Sequence, residues 1–190
     1  MDYLWLGVLL FGGVHVLFMA LPSFRAILVA KLGENGFKGL YSLISVVGLA
    51  ALAKAYLAGR SGPASLEQFY QPLDGARQVM MVLVLVGFIL IFSNKSKGYI
   101  GHTLRHPFSI GVALWAIGHL LVNGERAVVV IFAMFLFISL LDIALSVARG
   151  KGPTHQPQLR YDVRSMVVGM VLYVVFALGF HPYVLNIPVM

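Results

Sequence analysis

Six apolar runs, each close to the length needed to cross a bilayer, constrain this chain more than any motif in it. They cover Tyr3–Leu21, Gly39–Ala58, Arg77–Phe92, Pro107–Val122, Ala127–Ala148 and Met166–Leu185, with soft boundaries. A spanning helix needs roughly 20 apolar residues, about 30 Å at the helical rise. The runs are continuous and do not alternate with polar residues, so they read as helices and not as strands of a membrane barrel. Composition agrees, with 59% of residues hydrophobic and 11% charged, where a soluble domain carries about 25% charged residues. The expected fold is all-α: a polytopic membrane helix bundle of about six transmembrane helices, forming a single domain over residues 1–190.

The linkers carry turn chemistry in Pro22-Ser23, Gly33-Glu34-Asn35-Gly36, Gly59-Arg60-Ser61-Gly62-Pro63, Asn123-Gly124 and Gly150-Lys151-Gly152-Pro153. With six spans both termini face one side. Ten cations fall on the opposite side (Arg25, Lys31, Lys38, Lys95, Lys97, Arg105, Arg149, Lys151, Arg160, Arg164) and four on the termini side (Lys54, Arg60, Arg77, Arg126). The positive-inside rule then puts both termini on the outer side and the ten-cation side in the cytoplasm. The segment Ser23–Leu32 is weakly amphipathic and reads either as a helix along the inner surface or as a tight return between the first two spans. The start, MDYLWL, lacks a basic region, so the first run is taken as a retained span.

Several function classes fall away. The net charge of +7 is spread over short linkers, where membrane orientation accounts for it, so no nucleic-acid partner is expected. There is no cysteine, which excludes disulfides, thiolate metals, Fe–S clusters and covalent haem attachment. No G-x-S-x-G, H-E-x-x-H, P-loop or dinucleotide fingerprint occurs.

What remains is a short list of polar groups at membrane depth, where an ionisable residue faces the bundle interior and is a candidate site. His15, in LLFGGVHVLF, follows Gly12 and Gly13. It reads as a hydrogen-bonding contact between helices, or as an axial ligand with the glycines making room for a flat macrocycle. His119, in WAIGHLLVNG, reads as an interhelical hydrogen bond in the outer half of span four, and Trp115 as an interface anchor or packing residue. His106 precedes Pro107 at the cytoplasmic start of that span. Thirteen residues separate His106 from His119, a turn of roughly 220°, so the two cannot hold one metal. Arg105 and His106 form a cationic pair at headgroup level that suits a propionate, a phosphate or an anionic lipid, or serves as a positive-inside anchor. Asp142 matches His15 in depth, about 10 Å from the cytoplasmic end, and is expected to accept the His15 Nδ1–H or to pair with Arg105. His181 reads as interfacial, and the linker histidines His102 and His155 as solvated.

Three stretches carry a resemblance: LLFGGVH in span one, FKGLYSLISVVGL in span two, and LRHPFSIGVALWAIGHLLVNG in span four. Together they resemble the NnrU family of bacterial membrane proteins, relatives of plant 15-cis-zeta-carotene isomerase, over nearly the whole chain. The resemblance implies a multi-pass protein of the bacterial inner membrane that binds haem b. It nominates His15 and His119 as axial ligands, with His15 and His106 as the second choice of pair. It also implies a role in denitrification or nitric oxide metabolism beside respiratory proteins, or haem-dependent isomerisation of a lipophilic substrate. Without cysteine, a thiolate ligand seen in a relative cannot operate here.

Two other classes compete. The R-H-P segment also resembles that of integral-membrane S-adenosylmethionine-dependent methyltransferases, although the following ARGKGPTHQPQLRYDVRSM lacks their acidic pair. A non-enzymatic assembly factor or accessory subunit of a reductase is the third reading.

Overall fold

The computed structural model describes residues 2–61, 67–94 and 97–186; Gly62, Pro63 and Lys95, used in the linker reading, lie outside them. The described chain is helical, with a lone β-bridge pairing Gln68 and Glu125. In chain order the helices are α1 (Tyr3–Ala20), α2 (Pro22–Ser61), α3 (Ala76–Ser93), α4 (Tyr99–Leu104), α5 (Pro107–Val122), α6 (Arg126–Ala148) and α7 (Leu159–Val184). Five of these are long and apolar enough to cross a membrane. The apolar α5 has 16 residues, about 24 Å of rise, slightly less than the hydrocarbon core. This is a polytopic membrane helix bundle.

Two linkers differ from their sequence reading. The expected four-residue turn at Gly33–Gly36 is a kink at one residue, Gly33 (φ 73°, ψ 162°), with helix on both sides. A positive φ with this ψ suits glycine alone, so the other three residues continue the helix. The turn expected at Pro22-Ser23 lies one residue earlier, at Leu21 (φ −117°, ψ 73°), because proline takes the first position of the next helix. Residues Pro22–Leu32 thus form a short helical connector. Phe18 on α1 meets Phe37 at 5.0 Å and Tyr41 at 5.9 Å, so α2 turns back along α1 after the kink. Glu34 anchors the bend through Lys38 (3.1 Å) and Arg25 (3.8 Å).

The chain divides into two compact units: Met1–Pro72 with Asn123–Leu145, and Leu73–Val122 with Ser146–Met190. The first holds α1, α2 and most of α6. Its core gathers Leu4, Leu52, Ala55, Ile131 and Met134, with Val8, Phe11, Tyr56 and Phe135 packed around them, and α1 and α2 approach closely at glycine, where a Cβ on Gly48 would sit 2.6 Å from Phe11 N. At one end Arg126 binds Glu67 (2.7 Å) and Asp2 (3.9 Å), while Phe69 N–H donates to Gly124 O and Arg126 N–H to Glu67 O, both at 2.9 Å. The chain start, the α2–α3 connection and the α5–α6 connection therefore meet.

The second unit holds α3, α4, α5 and α7, which approach one another at glycines. A Cβ on Gly111 would sit 2.5 Å from Gly87 O and 2.9 Å from Ile91 N, so α3 and α5 cross at glycines. A Cβ on Gly169 of α7 would lie 2.7 Å from Ile89 Cα. Asp162, 4% exposed, accepts from Tyr99 N–H (2.7 Å) and Ile100 N–H (3.0 Å), satisfying the first orphan donors of α4. Lys97 O accepts from Gln158 N–H at 2.8 Å. The α3–α4 connection thus meets the α6–α7 connection.

Candidate functional site

The site in the first unit begins with a local irregularity. Residues Val8–Gly13 of α1 form a π-helical turn, a feature found often at functional sites. Gly12 is pressed against Met134 of α6, so the wide turn is closed from that side. His15 follows immediately. Its Nδ1 lies 2.7 Å from Phe11 O, and a carbonyl only accepts, so Nδ1 carries the hydrogen and the lone pair resides on Nε2. Phe11 stacks on the imidazole at 4.3 Å and 26°, and Tyr41 of α2 lies at 5.2 Å. The Nδ1–H assigned to Asp142 from depth alone goes instead to this backbone carbonyl, one turn back on the same helix. Asp142 is half-buried on α6.

In the second unit His119 repeats the arrangement. Its Nδ1–H donates to Trp115 O at 2.8 Å, and the Trp115 ring lies 5.1 Å away. Trp115 is a packing residue for the imidazole. The ring of His181 lies 6.3 Å from that of His119, inclined by 28°. His181 follows a second π-helical turn, Phe176–Phe180, and its Nδ1–H reaches Phe176 O, five residues back, at 2.8 Å. Sequence reasoning left His181 at the interface and missed this pairing; the only local signal is Gly179 and Pro182 flanking it.

Arg105 and His106 stand at the other end of α5, about 20 Å from His119 by rise. A group held at His119 therefore does not meet them. Arg105 has φ 62°, uncommon for a residue with a side chain, and breaks the helix between α4 and α5. His106 lies just outside α5, as its proline neighbour suggested, and its carbonyl accepts from Ile110 N–H at 3.1 Å. His155, expected to be solvated, has a buried Nε2 and sits 5.9 Å from His102, ring to ring.

Three buried serines bond a carbonyl of their own helix, Ser93 to Ile89 O, Ser139 to Phe135 O and Ser165 to Tyr161 O, at 2.8–2.9 Å, and Ser165 also reaches Phe92 O of α3 at 3.2 Å. Among the described residues no three His, Asp or Glu side chains gather as a metal-ion set. A porphyrin asks for less, one or two imidazoles with a lone pair on the outward nitrogen and the other N–H held by an acceptor. His15 and His119 both fit that requirement.

The family profile described as NnrU protein matches residues 3–189 of the 190. No curated protein and no solved structure matches the chain. The apolar helices, the R-H-P corner and the two carbonyl-anchored histidines lie within the matched residues, and the chain belongs to the NnrU family.

Proposed function

We propose that this membrane protein binds haem b, which His15 and His119 would hold through their Nε2 atoms. The observation that carries the proposal is the shared anchoring of the two imidazoles. Each Nδ1–H is held at 2.7–2.8 Å by a carbonyl four residues back, which fixes the tautomer and the ring direction before any ligand arrives. Bound there, haem supplies a one-electron iron couple. The chain's own contribution is orientation and exclusion of water. Phe11 and Tyr41 wall one imidazole and Trp115 the other. We place the activity in denitrification or nitric oxide metabolism, or in isomerisation of a lipophilic substrate, at the bacterial inner membrane.

The 6.3 Å pairing of His119 with His181 favours a second assignment of donors, in which both come from one unit. Haem content separates haem protein from scaffold. Protein purified in detergent from haem-replete cells is expected to give a b-type pyridine haemochrome near one haem per chain. Colourless protein from such cells would turn the weight to the methyltransferase and accessory-subunit readings. For orientation, reporters fused to either terminus are expected to be active only in the periplasm; cytoplasmic activity at Met190 would reverse it.

A further inference from the structure

Charge, an unusual backbone and two orphaned nitrogens collect at the R-H-P corner, at the end of α5 opposite His119. His106 Nε2 and His155 Nε2 are buried, and neither has a hydrogen-bond partner. Buried polar atoms are nearly always paired, so two orphans around one corner are unusual. The elements carrying them lie against each other. His155 touches His102 ring to ring, Gly152 lies against the Arg105 side chain, and Gln158 binds Lys97. Arg105 is turned outward by its left-handed backbone and forms no ion pair among the described residues. Lys97 and Lys151 are exposed beside it. Asp162, the acid laid against the start of α4, is occupied by the two α4 amides. The corner is therefore rich in donors and short of acceptors.

We propose that Arg105, His106 and His155 bind the phosphate group of an anionic ligand, with a phospholipid headgroup as the source. Each imidazole donates through Nε2–H and the guanidinium supplies the charge, the fork geometry that phosphate oxygens accept. The lipid assignment rests on what surrounds the corner. Tyr99, Leu104 and Phe108 expose apolar surface next to it (53%, 39% and 47%), which acyl chains would cover and a free phosphate would not.

Delipidated full-length protein in detergent, titrated with phosphatidylglycerol, phosphatidylcholine or inorganic phosphate and read by native mass spectrometry, tests this. One phosphatidylglycerol is expected to bind more tightly than phosphatidylcholine. Arg105→Gln should weaken it about tenfold, and His106→Phe and His155→Phe about threefold each, while Lys31→Gln, the same charge loss in the other unit, leaves it within about twofold. Displacement by millimolar inorganic phosphate, with no preference between the lipids, would keep the phosphate site and make its source soluble. Equal weakening by Lys31→Gln, or wild-type affinity in Arg105→Gln, would overturn the proposal. Arg105 is exposed, so its variant reports even if a histidine variant fails to fold.

Discussion

The two units share one packing device and differ in a second. Each must hold three apolar helices together where lipid is as apolar as the helices themselves, so that burial of oily surface gives little drive. The first gathers side chains around Leu52 and Met134 and also brings α1 and α2 together at Gly7 and Gly48. The second uses glycine contacts of the same kind, at Gly87, Gly111 and Gly169, as its main device. Their histidines differ in the same sense: His15 is walled by aromatic rings, His119 by an indole and another imidazole. Yet both imidazoles are tied to a carbonyl of their own helix. The packing around a donor can vary while the tautomer stays fixed.

Side-chain packing is most sensitive to truncation. Leu52 is 2% exposed, and Leu52→Ala should cost about 2–5 kcal/mol. Hydrogen exchange should then rise chiefly in α1, α2 and α6. Backbone packing is most sensitive to addition. Gly111→Ala places a methyl against Gly87 O and Ile91 N and should cost about 1–3 kcal/mol, with the added exchange in α3 and α5. If either variant loosened all helices alike, the contrast between the units would fail. Asp162→Ala leaves two α4 amides without an acceptor, for about 1–3 kcal/mol, and should expose Tyr99 and Ile100 to fast exchange while α6 stays protected.

The sequence makes some of this contrast legible. Runs such as Ala127–Ala148 can only be spans, and Asn123-Gly124 and Gly150–Pro153 end helices because glycine and proline do so locally. His15 stood out because an ionisable group in an apolar run has few reasons to be there. Three features were hidden for a common reason, since each depends on what another segment supplies. His181 gains meaning only beside His119, and Asp162 resembles any headgroup-level acid until α4 is laid against it. His155 looks like a solvated linker residue until the corner at Arg105 closes over it. Helix phase misled in one place: depth matched Asp142 to His15, but the hydrogen had a nearer acceptor in Phe11 O.

The central proposal is that His15 and His119, the two anchored imidazoles, would hold the haem. It is tested most directly by absorption spectra of oxidised and dithionite-reduced protein, wild type beside His15→Ala, His119→Ala and His181→Ala. The account predicts a Soret band with sharp reduced α and β bands in the wild type and in His181→Ala, and their loss or broadening in the other two. Unchanged bands in His15→Ala, with loss in His119→Ala and His181→Ala together, would contradict it and assign both donors to the second unit.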